Sequence, residues 1–293
     1  MLLCRACVVR INHAPRDSSK IAKSEPTSSQ VRVNEKSKMN LRVGLIVPSS
    51  NVTMETEIPL YLKSHFSSKA SSITFHSSRT RMKKVTPEEL QEMATDSKRC
   101  ALEIADARVD VVAHACLVAT MFMGGGAHRR LEETLKRLIF AESISVPVVT
   151  SAGAIVRTLK KMNAKKIAFV APYQPDLSDV VETYLSKEGF QVIRSISLSE
   201  PDNHRVAKLN EKELVNHVLG IDCGSLDAVI ASACVQMPSL NALGVLVNHL
   251  ETPVLSASLC TAMEIAIHLN LTPPDQRIKD LANDMIRSAT GQA

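Results

Sequence analysis

The sequence has no tryptophan and only three tyrosines among its 293 residues. It also has no apolar run near the roughly 18 to 20 residues that a membrane-spanning helix requires. Its net charge of +5 is uneven, because residues 1–40 hold eight Lys or Arg and three acids, and residues 41–293 are neutral. A neutral body with few aromatic side chains lacks the surface that binds phosphates and bases. These absences argue against a nucleic-acid or membrane partner.

The seven cysteines are too few and too scattered for a disulfide framework in a chain of this length. Free thiols fit a reducing compartment, so we expect a cytoplasmic protein. Cys4 and Cys7 have metal-ligand spacing but no second pair, and we expect no metal site. Residues 1–40 are basic, rich in Ser and without apolar periodicity, which is typical of a disordered extension. If residues 1–38 act as a presequence, the location is mitochondrial instead.

From residue 41 onward, short apolar runs alternate with longer amphipathic stretches. The apolar runs predict strands at 41–47, 73–77, 109–115, 146–150, 166–172, 190–196, 226–232 and 252–257. Apolar spacing of three and four residues predicts helices that include 87–107, 129–140, 154–162, 176–188 and 240–250. This alternation indicates an α/β fold in which helices cover parallel sheets.

The order of these segments repeats within the chain. GLIVPSSN aligns with AFVAPYQP, VDVVAHAC with LDAVIASAC, and SVPVVTSA with ETPVLSAS. We therefore predict two pseudo-symmetric lobes, at 41–150 and 151–293, each a parallel sheet flanked by helices. The last helix can return to pack on the first lobe. Because ligands of open α/β sheets bind beyond the carboxyl ends of strands, the active site is expected in the cleft between the lobes.

Two cysteines occupy matching places in the repeat. Cys116 and Cys234 each follow a buried strand and are expected to precede a helix, whose positive end stabilises a thiolate. Two thiols on opposite sides of a small molecule can supply a nucleophile and a proton donor. The other cysteines of the body are expected to be small buried hydrophobes, namely Cys100, Cys223 and Cys260.

Other polar groups near the strand ends allow two interpretations each. The loop of residues 48–53 can bind a carboxylate or simply cap a helix. His114 is expected to be buried in the sheet rather than paired with a cysteine, and His128 to be a surface or helix-cap residue. The basic run of residues 79–84 attracts a dianion or is a solvated loop.

Several motifs, in order, resemble those of the maleate cis-trans isomerase family, within the aspartate/glutamate racemase superfamily. They are LRVGLIVPSSNVTMETE (41–57), ACLVATM (115–121), APYQPD (171–176), PDNHRVAKLN (201–210) and SACVQMPSL (232–240). The resemblance covers essentially all of residues 41–270. It implies a cofactor-independent isomerase that acts on a small dicarboxylate, with a homodimer as the expected assembly.

The resemblance also implies site residues. Cys116 is similar to the nucleophile that adds to the double bond of maleate and forms a succinyl-cysteine, and Cys234 to the proton donor. The implied substrate contacts are the side chains of Asn51, Tyr173 and Asn203, and the backbone N–H groups of Leu117, Val118 and Val235. The sequence departs from the family in the loop Gly124 to Ala127, where Gly-Pro-Gly and an aromatic residue are usual. We expect this loop to border the cleft, so the departure concerns substrate size or closure of the cleft rather than the chemistry.

Three alternatives remain open. An amino-acid racemase also needs two thiols, but ACLVATM does not resemble the Asn-Thr motif of those enzymes. An arylmalonate-type decarboxylase keeps only the second cysteine, so the presence of Cys116 argues against it. A non-catalytic dicarboxylate-binding protein of two lobes is usually exported, and the leading segment does not resemble a signal peptide.

Overall fold

The structure is a computed structural model that describes residues 39–292. The predicted extension lies outside the described residues, except that Met39 and Asn40 already belong to the first strand. Cys4 and Cys7 also lie outside them. Within residues 39–292, no helix is long and apolar enough to cross a membrane.

Four parallel strands form the first sheet, in the order β2-β1-β3-β4. The elements of this half are, in chain order, β1 (Met39–Pro48), α1 (Met54–Phe66), β2 (Ala70–Thr80), α2 (Pro87–Asp106), β3 (Val111–His114), α3 (Leu117–Phe122), α4 (Ala127–Ala141) and β4 (Val148–Thr150). Helix α5 (Ser151–Lys161) follows β4 directly and leads to the second half.

The second sheet has the order β6-β5-β7-β8 and is also parallel. Its elements are β5 (Lys166–Ala171), α6 (Pro175–Lys187), β6 (Gln191–Ser197), α7 (Asn203–Val206), α8 (Glu211–Leu219), β7 (Ala228–Ser232), α9 (Leu240–Leu246), β8 (Val254–Ser256), α10 (Ala257–His268) and α11 (Ile278–Thr290). Each sheet thus places its first strand between its second and third. This confirms the predicted pair of pseudo-symmetric α/β lobes, whereas the domain boundary at residue 150 stays a prediction.

The apolar runs in the middle of the sheets form strands that are buried on both faces, whereas β6 at the edge of the second sheet has no buried residue. In β1, every residue from Val43 to Pro48 is buried. Gly44 lies where α2 packs most closely on this strand. A Cβ atom there would be 2.2 Å from Ile104 Cγ2 and 3.1 Å from Val109 Cγ2. Glycine therefore permits the close approach of helix and strand.

A buried carboxylate on α1 joins the two halves of the chain. Glu57 Oε1 accepts hydrogen bonds from Ser239 N (2.6 Å) and Leu240 N (2.8 Å), at the start of α9. Its Oε2 accepts from Ser239 Oγ (3.0 Å) and from Ser258 Oγ in α10. Burial raises the pKa of Glu57, and these hydrogen bonds oppose that shift. The carboxylate satisfies N–H groups at a helix start that lie away from water.

The last helix, α11, packs against α1, α9 and α10. His65 Nδ1 in α1 lies 3.1 Å from Ser288 Oγ in α11. The chain therefore ends on a helix that contacts elements of both halves.

Candidate active site

Loops from both sheets surround one small cavity. It is lined by residues that follow the first, second and third strands of each half, namely Pro48, Asn51, Met82, Val85, Cys116, Leu117, Val118, Tyr173, Asn203, Cys234, Val235 and Gln236. All eight residues that the sequence analysis assigned to the site are among them. The space open to the centre of a water molecule is about 20 Å³, which is room for about one water.

Cys116 sits at a strained turn between β3 and α3. Its backbone has φ 101° and ψ 82°, in the left-handed region that favours glycine. Burial raises the pKa of this thiol to about 12, although the backbone N–H of Ala119 opposes the shift. The predicted helix start is present, but α3 has only six residues and burial outweighs it. The expectation that the helix lowers this pKa is therefore wrong in its net direction.

Cys234 follows β7 but does not directly precede a helix, contrary to the prediction. The next helix, α9, begins at Leu240, and a turn lies between them. Burial raises the pKa of the Cys234 thiol, while the nearby Tyr173 hydroxyl and the backbone N–H groups of Gln236 and Met237 oppose that shift. Gln236 N lies 3.4 Å from Cys234 Sγ. N–H groups of a turn thus oppose the rise in the Cys234 pKa, a role that was expected of the N-terminus of a helix.

The two asparagines are both buried and both held by neighbours. Asn51 Oδ1 accepts a hydrogen bond from Met54 N (3.0 Å), so it caps α1 as well as lining the cavity. Asn203 is the first residue of α7, and its Nδ2 donates to Ser50 Oγ. A loop of the first half and a helix of the second half therefore meet at the cavity wall.

Tyr173 completes the polar lining on the side of Cys234. Its hydroxyl donates to the carbonyl oxygen of Ala233 over 3.3 Å. Burial, with the nearby cysteines as a smaller cause, raises the pKa of Tyr173 well above 10. The phenol therefore stays neutral and keeps its proton for hydrogen bonding.

Four lining residues were not among those assigned to the site, namely Pro48, Met82, Val85 and Gln236, although Pro48 begins the loop that was considered for carboxylate binding. Gln236 lies two positions after Cys234 and within a motif that was already singled out, so its place in the chain is a signal that could have found it. Met82 lies in the basic run of residues 79–84, which was singled out only for its charge, and Val85 follows that run. Nothing in their local sequence distinguishes them from ordinary core residues.

Proteins similar in sequence to this chain are maleate isomerases. The chain is 46% identical to the maleate isomerase of Geobacillus stearothermophilus, over 79% of this chain and 93% of that protein. It belongs to the maleate isomerase family. Residues 43–278 also match the family model described as arylmalonate decarboxylase. The fold and the motif resemblance described above are thereby confirmed.

Solved structures of this family are similar as well. A maleate isomerase of Pseudomonas putida S16 with maleate has a TM-score of 0.77 and 44% identity, and the match covers 79% of this chain and 92% of that one. A cysteine-to-serine variant of the Nocardia farcinica maleate cis-trans isomerase contains a covalently bound succinylcysteine intermediate. Its TM-score is 0.76 at 38% identity, over 79% of this chain and 93% of that one. Arylmalonate decarboxylase structures, at 15 to 18% identity, share the fold.

Some residues considered from the sequence lie away from this cavity. His114 is buried in the sheet, as predicted, with Nε2 2.8 Å from Ser97 Oγ, and burial lowers its pKa to about 4. His128 is not exposed at the surface, contrary to one of its two predictions: it lies in the first turn of α4, and its ring is buried against the Tyr184 hydroxyl. Gly124 and Gly125 line a separate cavity against α6.

The side chains of the basic run, residues 79–84, lie in two different places. Arg79 forms an ion pair with Glu55 and donates to the Asn51 carbonyl oxygen (3.0 Å), so it supports the first loop. Lys83 and Lys84 line a larger groove beside the cavity. Among residues 39–292, no group of three His, Cys, Asp or Glu side chains is arranged to hold a metal.

Proposed function

We propose that this chain isomerises maleate to fumarate without a cofactor. The observation that carries the proposal is the meeting of two buried thiols, Cys116 and Cys234, at one cavity built from both lobes. Two asparagine amides and a neutral phenol lie in the same wall, and such groups can hydrogen-bond carboxylates. Membership of the maleate isomerase family supports the same reaction.

In the first step, the Cys116 thiolate adds to one alkene carbon of maleate. A carbon–sulfur bond forms, and the π electron pair moves toward the adjacent carboxylate, which becomes enediolate-like. Asn51, Tyr173 and Asn203 hold the carboxylates, and the backbone N–H groups of the two cysteine loops face the developing charge. These N–H groups belong to Leu117, Val118 and Val235.

In the second step, Cys234 Sγ–H donates its proton to the other former alkene carbon. The product is a succinyl-cysteine with a single bond between the two carbons, which can rotate. The Cys234 thiolate then removes a proton from that carbon, and the carbon–sulfur bond breaks with its electron pair returning to Cys116. One negative charge thus passes from Cys116 to Cys234 and back, so the catalytic pair carries a constant charge through the cycle.

Two alternative reactions of this superfamily are less consistent with the residues. A decarboxylase of the arylmalonate type would not need Cys116. A racemase would need both thiols, but it would exchange the α-proton of an amino acid and form no sulfur–carbon bond. A binding protein without turnover would have no use for a thiol at a strained turn.

Purified protein treated with a chelator should convert maleate to fumarate, which proton NMR detects directly. Cys116→Ser and Cys234→Ser should each lose roughly a thousandfold or more in kcat/KM, because each removes a group that takes part in bond making. Cys223→Ser is the matched control, since this cysteine is only partly buried and does not line the cavity. It should keep full activity.

The Cys234→Ala protein should accumulate an adduct of one maleate on the peptide that contains Cys116. Full activity of both cysteine-to-serine variants would refute the assigned roles. Exchange of an amino acid's α-proton, without fumarate or adduct, would identify a racemase instead.

We also propose a cytoplasmic homodimer as the working form. The cysteines of residues 39–292 are all free thiols, which supports a reducing compartment. The mitochondrial alternative depends on residues 1–38, which lie outside the described residues. Fractionation of cells that express the chain with and without these residues, together with light scattering of the pure protein, tests both statements.

A further inference from the structure

We infer that Gln236 is a positioning residue that holds three substrate-contacting loops in register, an inference that rests on the proposed function. The three loops follow β1, β6 and β7, and they carry Asn51, Asn203 and Cys234. The Gln236 side chain lines the cavity and is only 3% exposed. None of the steps proposed above uses it.

Every hydrogen-bonding group of the Gln236 amide has a partner on another loop. Oε1 accepts from Val52 N (3.0 Å), and Nε2 donates to the carbonyl oxygens of Ser50 (2.8 Å) and Asn203 (3.0 Å). The orientation of the amide follows from these partners. A reversed amide would set its oxygen against two carbonyl oxygens and its nitrogen against an N–H group.

These bonds act on the residues that hold the substrate. Ser50 and Val52 are the direct neighbours of Asn51, so one side chain fixes the main chain on both sides of it. The same side chain holds the main chain of Asn203 itself. Since the Gln236 backbone nitrogen also lies 3.4 Å from Cys234 Sγ, Gln236 contacts the main chain around both asparagines and the sulfur of the proposed proton donor.

The backbone of Gln236 is fastened to the first loop as well. Thr53 Oγ1 donates to the Gln236 carbonyl oxygen over 2.7 Å, and both groups are buried. The β7 loop therefore cannot shift relative to the β1 loop without breaking several buried hydrogen bonds. Catalysis depends on placement of this accuracy, because a displacement of about 1 Å can cost roughly a hundredfold in rate.

Methionine is the informative replacement, since it has nearly the length of glutamine but no hydrogen-bonding groups. In Gln236→Met, hydrogen–deuterium exchange should become faster in both segments 49–54 and 201–206. kcat/KM for maleate should fall roughly tenfold to a hundredfold. The rate at which iodoacetamide labels Cys116 should change little, because this reagent has no carboxylate for the two asparagines to bind. Gln91→Met, at an exposed position on α2, is the matched control and should alter none of these measurements.

The outcomes separate this inference from the proposed function. Unchanged exchange in either segment, or faster exchange with an unchanged kcat/KM, overturns the positioning role of Gln236. If the unsubstituted protein makes no fumarate, the proposed reaction fails, and calorimetry with succinate then decides the role of Gln236. Weaker succinate binding by Gln236→Met supports it. Equal binding by the two proteins, or no binding by the unsubstituted one, overturns it.

Discussion

The pH dependence of Cys116 alkylation measures how far burial raises the pKa of the proposed nucleophile. The thiol has a pKa of about 12, against an ordinary value of 9.0, and burial is the main cause. Three pKa units amount to about 4 kcal/mol, or a roughly thousandfold smaller thiolate fraction at neutral pH. At pH 8, about one Cys116 in ten thousand should therefore be a thiolate in the free protein.

The rate of iodoacetamide labelling, followed by mass spectrometry between pH 7 and 11, tests this value. Because the thiolate is the reactive form, the rate at Cys116 should rise about tenfold per pH unit and should not level off below pH 10. The labelling rate of the partly buried Cys223 in the same sample controls for the reactivity of the reagent. Circular dichroism shows whether the protein stays folded at each pH. A plateau at or below pH 8 would show that the thiolate already exists in the free protein and would refute the argument from burial.

The same pKa predicts the pH dependence of activity and stability. kcat/KM for maleate should increase with pH across the neutral range, because the free enzyme must lose this proton before addition. Stability should respond only at higher pH. The unfolded thiol ionises near pH 9 and the folded one near 12, so the free energy of unfolding should decrease as pH rises between these values.

Two further substitutions test the packing between elements. Glu57→Ala leaves two buried backbone N–H groups at the start of α9 without an acceptor, so urea unfolding should show a loss of about 2 to 6 kcal/mol. Glu57→Gln keeps one acceptor oxygen, and a loss as large as that of alanine would contradict this reasoning. Gly44→Ala should cost about 1 to 3 kcal/mol, because the new methyl group meets Ile104. Adding Ile104→Val should recover part of that loss, and no recovery would show that the strain lies elsewhere.

The fold was predictable because its signals are local and repeated. The central strands are short apolar runs buried on both faces, and each of the eight predicted runs overlaps an observed strand. Matching positions in the two halves then placed Cys116 and Cys234 at equivalent strand ends. Since loops after neighbouring parallel strands meet at one edge of a sheet, the cavity follows from the topology.

What could not be predicted depends on partners distant in sequence. His128 reads as a helix-start residue, but the Tyr184 hydroxyl that covers it comes from α6. The direction of the Cys116 pKa shift depends on how completely two lobes exclude water, and no local pattern reports that. Glu57 and Gln236 look unremarkable in the chain because their partners lie as far as 201 and 186 residues away.

The backbone of Cys116 has a consequence for how this protein tolerates change. A side chain held at φ 101° costs of order 1 to 3 kcal/mol, and glycine would not bear that cost. Cys116→Gly should therefore relieve this strain, but it also removes a buried side chain and the proposed nucleophile. The proposed reaction thus requires a side chain at a backbone conformation that glycine adopts more easily.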